Sequence, residues 1–166
     1  MADADVIVGL VSRIDPPVDT LSTAELLRRN RDGVVIEFEG DRAARLFPGD
    51  VAAGMLDILE QLRRMRTPAY VEIRPDTRQI IRLLIPLVTR VTKIEEGGAH
   101  GVRIELERSH ARHLLKRDSP AYQQLLETVR AAAEKRVSLV VTETDGHEIV
   151  DARPWPHAPS APAQVP

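Results

Sequence analysis

One stretch of the chain occurs twice, and this repeat constrains the fold more than any other feature. A shift of 68 positions places residues 33–50 on residues 101–118, with identical residues at eight of the eighteen positions. The identical pairs are Gly33/Gly101, Val34/Val102, Ile36/Ile104, Glu37/Glu105, Glu39/Glu107, Ala43/Ala111, Leu46/Leu114 and Asp50/Asp118. Self-similarity at a fixed spacing is typical of a structural unit that is repeated. We therefore expect two copies of one unit.

Three shorter matches follow in the same order along the chain. They pair residues 10–14 with 87–91, 59–63 with 126–130, and 76–81 with 145–150. Their offsets differ slightly, which small gaps in loops explain. The matches predict one copy over residues 10–81 and a second over 87–150.

The repeat also predicts the domain organisation. A first repeat over residues 5–85, with a helical insert at 15–32, precedes a second repeat over 86–154. Each half has few core residues for independent stability, so we expect one fused core. Residues 155–166 are rich in proline and are predicted to be a disordered tail.

Hydrophobic patterns within the copies indicate the fold class. Residues 6–14 read as one strand, and residues 34–39 alternate with Val34, Ile36 and Phe38 on the inner face. A helix and then a hairpin complete each copy, the second hairpin turning at Asp145 and Gly146. We predict an α+β fold of internally duplicated β-β-α-β-β units, with antiparallel sheets, a pseudo-two-fold arrangement and helices packed on one side.

Three helices are predicted from capping residues and apolar stripes. Ser22 to Glu25 reads as a capping box that begins a short helix in the insert. Asp50 is the expected N-cap of the helix in copy one. The predicted core stripes are Val51, Met55, Ile58, Leu59 and Leu62 in copy one, and Tyr122, Leu125, Leu126 and Val129 in copy two.

His110 and His113 are the candidates for metal ligands in this sequence. At a spacing of three residues they would share one face of a helix, and neutral imidazole is a common ligand. A site needs three or four ligands, however. The 68-residue shift aligns the two histidines with Arg42 and Arg45, which favours an exposed basic position in both copies. We therefore predict no metal and no cofactor.

Other polar groups are interpreted structurally. Glu37 and Glu105 lie on the outer faces of their strands, where Arg13 and Arg90 could pair with them across the sheet. No serine lies in a Gly-x-Ser-x-Gly elbow, and we identify no catalytic residue.

Basic clusters and one aromatic residue are the candidates for contact with a partner or an anion. The basic residues are Arg63, Arg64 and Arg66 in copy one, and Arg112, Lys116 and Arg117 in copy two. They are read either as solvated helix ends or as a face for an acidic partner or a nucleic-acid backbone. Trp155, between two prolines, is a candidate docking residue of the tail.

Net charge and amino-acid composition argue against several classes of function. A net charge of -2 lacks the basic excess of a dedicated duplex binder, and 3 % aromatic residues are few for base stacking. The absence of cysteine excludes disulfides and thiolate metal sites. No signal-peptide pattern or long apolar run is visible, so we expect a cytoplasmic protein without a membrane partner.

These observations favour a non-catalytic interaction or scaffold module that acts through contacts with a protein partner or by self-association. The alternative is a nucleic-acid-binding accessory protein that uses the arginine clusters. A metal-dependent enzyme built on His110 and His113 is the third hypothesis.

Overall fold

The computed structural model describes residues 4–19 and 21–157. Over these residues the chain is an α+β protein with twelve strands, in four antiparallel three-stranded sheets, and three α-helices. Two compact units divide the chain, Met1–Ile85 and Pro86–Pro166, and each contains its own cluster of buried apolar residues. No helix in the described part of the chain is both long and apolar enough to cross a membrane.

Unit 1 has two sheets and two helices. Its elements are β1 (Asp5–Gly9), β2 (Val11–Asp15), α1 (Thr23–Arg29), β3 (Val34–Phe38), β4 (Arg42–Leu46), α2 (Ala52–Met65), β5 (Ala69–Ile73) and β6 (Ile80–Leu84). The strand orders are β1-β5-β6 and β2-β3-β4.

Unit 2 has the same order of strands around one long helix. Its elements are β7 (Leu87–Thr89), β8 (Val91–Glu96), β9 (Gly101–Leu106), β10 (His113–Lys116), α3 (Tyr122–Lys135), β11 (Leu139–Glu143) and β12 (Ile149–Pro154). The strand orders are β7-β11-β12 and β8-β9-β10. A 3-10 turn, Gly98–His100, lies where unit 1 has α1.

The first predicted strand of each copy is in fact two strands. In unit 1 the break is at Leu10, whose carbonyl accepts a hydrogen bond from the amide of Glu39. In unit 2 the carbonyl of Arg90 accepts from the amide of Glu107 in the same way. Each break lets the chain leave one sheet and enter the other, so a single apolar run serves both sheets.

Strands β4 and β10 were not predicted from the sequence. They pair with β3 and β9, whose inward faces are buried as expected. In unit 1 the turn contains Gly40 and Asp41, both at positive φ, a conformation that favours a tight hairpin. Residues 110–113 therefore do not form a helix, and the helical face predicted for His110 and His113 is wrong.

Helix α2 begins one residue later than predicted, and of its predicted stripe Leu59 and Leu62 are buried and Met55 is partly buried against the core. Its N-cap is Val51, which makes no side-chain cap, so the prediction that Asp50 caps the helix is wrong. Its buried residues are Ala52, Leu56, Leu59, Glu60 and Leu62. Val51 and Ile58, predicted to be core, are exposed.

Other local predictions are confirmed. Ser22 caps α1 by accepting a hydrogen bond from the amide of Glu25. All four residues of the predicted stripe of α3 are buried. The two C-terminal hairpins form as β5–β6 and β11–β12. Most of the predicted proline-rich tail, residues 158–166, lies outside the described residues.

Candidate functional site

A cluster of polar side chains lies at the edge of the core of unit 2. His113 on β10, Glu143 at the end of β11 and His147 in the following turn each offer a ligand atom, and these atoms lie within 4.8 Å of one another. The His113 side chain is 0 % exposed, Glu143 is 27 % exposed and His147 is 50 % exposed. The cluster therefore extends from the interior to solvent.

Hydrogen bonds hold the three side chains together. Nδ1 of His113 contacts one oxygen of the Glu143 carboxylate, and Nδ1 of His147 lies 3.1 Å from the other oxygen. The two rings are nearly perpendicular, with centroids 5.5 Å apart. One carboxylate thus joins the two imidazoles.

Ser109 is the hydrogen-bond partner of Nε2, the second ring nitrogen of His113. Its Oγ lies 2.9 Å from Nε2 of His113 and accepts a hydrogen bond from the amide of Ala111. Both ring nitrogens of the buried imidazole consequently have partners, as burial of a polar group requires.

The order of serine, histidine and carboxylate is also found in nucleophilic triads. Here the imidazole is fully buried, and the serine hydroxyl is half-buried and engaged with the turn that carries it. The geometry favours a role for Ser109 in orienting the His113 ring over a role as a nucleophile.

The backbone places His147 beside the strand of His113. His147 has φ 61°, its amide donates to Thr144, and its carbonyl accepts from the amide of Leu114, the neighbour of His113. Arg78 of unit 1 has φ 59°, and its carbonyl accepts from the amide of Arg45. The common fold of the units therefore explains why this turn lies against the strand, whereas the imidazole belongs to unit 2 alone.

The sheet register shows which residues of unit 1 correspond to the cluster. Ile36 pairs with Ala44, and Ile104 pairs with His113. His113 thus matches the buried Ala44, and the predicted match with Arg45 is wrong because the turn in unit 2 is one residue longer. A shift of one residue moves a strand side chain to the other face. Glu143 likewise matches Ile73, since each ends a strand at an irregularity in register.

The cluster differs from the sequence-based metal candidates. His113 belongs to it, but His110 is exposed in the turn before β10 and is not a member. Glu143 and His147 were missed as site residues. A signal existed, since the hairpin Asp145–Gly146 was recognised, and a hairpin brings side chains at its two ends close together.

The arginines of the first basic cluster lie beside acidic groups. Glu60 is 8 % exposed and accepts hydrogen bonds from Arg63 and Arg64 at 2.7–2.9 Å. Hydrogen bonding by Arg63, opposed by burial and helped by Arg64, lowers the pKa of the Glu60 carboxyl. Arg66 has an ion pair of 3.8 Å with Glu39.

The second basic cluster is also partly paired. Lys116 contacts Glu148, which raises the pKa of the lysine ammonium, and Arg117 lies 3.8 Å from Glu96. The hydrogen bond to Glu95 raises the pKa of Lys93 against a small repulsion from Arg112, and Lys93, helped by Arg112, lowers the pKa of the Glu95 carboxyl. Such internal pairing reduces the positive charge that these side chains offer to an external phosphate backbone.

Trp155 follows directly after β12. Its amide donates to the carbonyl of Ser138, and its ring packs edge-on against His157 at 5.1 Å. The described part of the predicted tail thus begins against unit 2.

An exposed apolar strip runs along α2. Val51, Ile58 and Met65 recur every seven residues, so they lie on one helix face, and they are 68 %, 36 % and 64 % exposed. Gly54 lies between the first two, and a Cβ placed there would meet nothing within 4 Å. We refer to Val51, Ile58 and Met65 as the α2 strip.

The helix of unit 2 has no such strip. Helices α2 and α3 each have fourteen residues and end at an arginine in the left-handed conformation, Arg66 and Arg136. Aligned from these ends, the α2 strip corresponds to Ala121, Thr128 and Lys135. The fold therefore does not need large apolar side chains at these positions.

Comparison with family models, curated proteins and solved structures gave no match for this chain.

Proposed function

We propose that the chain is a non-catalytic interaction module that binds a protein partner through the α2 strip. The observation that carries this proposal is the exposure of Val51, Ile58 and Met65 at positions where the corresponding helix has small or polar residues. Large apolar side chains in contact with water cost free energy unless another surface covers them.

The surroundings of Val51 and Ile58 favour an amphipathic segment with basic side chains, whereas Met65 stands between Arg64 and Arg66. Asp50 and Asp57 are exposed and directly precede Val51 and Ile58 in the sequence. Their carboxylates would attract lysine or arginine at the edge of an apolar helix face. Gly54 leaves space for the main chain of the partner to approach closely.

The nucleic-acid alternative has less support. The arginines that motivated it are engaged with Glu60 and Glu39 in unit 1, and Lys116 and Arg117 with Glu148 and Glu96 in unit 2. A backbone contact would have to displace these carboxylates, which costs part of the electrostatic gain.

We also propose that the two units arose by internal duplication. Support comes from the shared strand orders, the matching positive-φ arginines that end both long helices, and the matching hydrogen bonds at Leu10 and Arg90. Duplication would give two equivalent helices, of which one carries the strip and the other does not. The predicted pseudo-two-fold arrangement of the copies stays a prediction.

Site-specific photo-crosslinking tests the interaction. A photoreactive amino acid would replace Ile58, and Thr128 in the matched control, in protein expressed in the native host. We expect one protein to crosslink at Ile58 and not at Thr128, and a peptide from its crosslinked segment to bind the purified chain.

The chemistry of the peptide gives the second half of this test. Reversing charge with Asp57→Lys should weaken binding of the peptide at least tenfold, since a like charge would then face its basic edge. Equal crosslinking at both positions, or an affinity that Asp57→Lys leaves unchanged, would contradict the proposal. A crosslink to a second copy of the chain would replace it with self-association.

A further inference from the structure

The polar cluster of unit 2 stands at positions where the fold itself favours apolar packing. Unit 1 has Ala44 and Ile73 at the places of His113 and Glu143, and both are at most 1 % exposed. Burying an imidazole and part of a carboxylate costs free energy that a hydrogen bond between them only partly returns. A ligand that requires both groups would explain their presence.

We propose that His113, Glu143 and His147 bind a divalent transition-metal ion, with zinc as the best fit. Two imidazole nitrogens and one carboxylate form a donor set that zinc binds in four-coordinate sites, with the fourth position open to water or another ligand. Hard cations such as magnesium and calcium prefer all-oxygen ligands. The inference is independent of the α2 strip and concerns the other unit.

Distances between the donor atoms suit one ion. Two ligands on a tetrahedral zinc at about 2.1 Å lie roughly 3.4 Å apart. Nδ1 of His147 lies 3.1 Å from the Glu143 carboxylate, and the full set of ligand atoms falls within 4.8 Å. The direct contact between His113 and Glu143 must lengthen for an ion to enter.

Ser109 completes the arrangement from the far side of the His113 ring. A metal-binding histidine usually has its second nitrogen hydrogen-bonded, which fixes its tautomer and orientation. In the metal-free protein, a neutral ring that carries its proton on Nδ1 donates to Glu143 and accepts at Nε2 from the serine hydroxyl, in the two contacts that the structure shows. With metal on Nδ1, the proton resides on Nε2 and donates to Ser109 Oγ. A hydroxyl can serve both tautomers because it both donates and accepts.

The backbone prepares the site before any ion arrives. The carbonyl of His147 is hydrogen-bonded to the amide of Leu114 at 2.9 Å, and unit 1 forms the equivalent bond without histidines. The fold thus supplies two adjacent backbone positions, and unit 2 places an imidazole on each. Because His147 is 50 % exposed, an ion can reach the site from solvent.

Metal titration of the untagged full chain tests this proposal. Protein freed of metal with a chelator would be titrated with zinc against a chromophoric competitor, and with cobalt to read its absorption spectrum. We expect one equivalent of zinc per chain, a cobalt spectrum of tetrahedral intensity, and a higher Tm in the presence of zinc.

Unit 1 supplies the matched variant. The combination of His113→Ala, Glu143→Ile and His147→Arg gives unit 2 the three residues of unit 1, which already fold at those positions. We expect this variant to fold and to bind zinc at least 100-fold more weakly. His110→Ala, in the neighbouring turn, should leave the affinity unchanged.

Ser109→Ala distinguishes an orienting role from a direct one. It should weaken zinc binding about tenfold while preserving the stoichiometry, as expected for a group that touches only a ligand. The proposal is overturned if the chain binds no stoichiometric zinc, if the triple variant retains the affinity, or if His110→Ala abolishes it.

Discussion

Units 1 and 2 have the same arrangement of strands and one long helix each, and they differ in where side chains are costly for the fold. Both have two three-stranded sheets, a long helix ending in a left-handed arginine, and the same bridge between a turn and a strand. In unit 1 the costly side chains lie on the surface, where α2 exposes apolar residues. In unit 2 they lie at the edge of the core, where polar His113 and Glu143 stand at the positions of the buried Ala44 and Ile73.

The comparison separates residues that the fold needs from residues that it tolerates. A position occupied alike in both units is explained by packing. A position that is costly in one unit and ordinary in the other requires a further explanation, and this criterion selects the α2 strip and the polar cluster.

Truncation of matching core residues should destabilise both units. Ile36 and Ile104 are both 0 % exposed and face Ala44 and His113. Each change to alanine should lower the free energy of unfolding by about 3 kcal/mol through lost burial and a residual cavity. Urea denaturation measures the loss. Only Ile104→Ala should also weaken zinc binding. An equal loss of zinc binding in Ile36→Ala would show that the two units do not differ in this respect.

Removal of one member of the pair formed by His113 and Glu143 should cost more free energy of unfolding than removal of both. Glu143→Ile leaves the His113 imidazole without its acceptor, at a cost of about 2 kcal/mol in metal-free protein. Adding His113→Ala restores the apolar pair of unit 1 and should recover most of that loss. A double-mutant cycle from chemical denaturation measures the coupling. Strictly additive effects would show that the two side chains do not act together.

Lowering the pH should remove the stabilisation that the buried Glu60 carboxylate gives to unit 1. Arg63 and Arg64 hold the pKa of Glu60 below its unfolded value, so the unfolded state binds a proton first as pH falls. The stabilisation is complete above the unfolded pKa, about 4.5, and is lost as pH falls through the folded pKa. Glu60→Gln should cost about 1 kcal/mol at pH 7 and nothing at low pH. Its cost, followed by denaturation across pH, would be constant if the ion pairs were irrelevant.

The α2 strip should matter least for stability. Ile58→Thr introduces the residue of α3 at a partly exposed site and should change the free energy of unfolding by less than about 0.5 kcal/mol. Calorimetry measures this change, and crosslinking measures the loss of partner contact. A loss of several kcal/mol would place Ile58 in the core and remove the basis for a binding strip.

The sequence predicts most of the elements, and it predicts the buried face of α3 better than that of α2. The stripe of α3 was readable because Tyr122, Leu125, Leu126 and Val129 are the large apolar residues of that helix. Helix α2 has large apolar residues on more than one face, so periodicity alone did not identify the buried one. The structure selects a face that includes Ala52, a weakly apolar residue.

The candidate site could not be recognised from the repeat because the alignment of β10 with β4 was wrong by one residue. A gap-free repeat alignment places His113 on Arg45 and suggests an exposed base. Strand pairing places it on Ala44, inside the core. Glu143 and His147 lie thirty or more positions further along the chain, and only the contact between the last hairpin and β10 brings them to His113. Such long-range convergence depends on tertiary packing, which local patterns do not contain.

X-ray absorption spectroscopy of zinc-loaded protein reports directly on the ligands of the ion that we propose for unit 2. We expect two imidazole nitrogens and one carboxylate oxygen at about 2.0–2.2 Å, with a further light ligand. We also expect the imidazole scattering to be lost in the triple variant carrying His113→Ala, Glu143→Ile and His147→Arg. A shell of oxygen ligands alone, or a spectrum that the triple variant leaves unchanged, would contradict the proposed metal site.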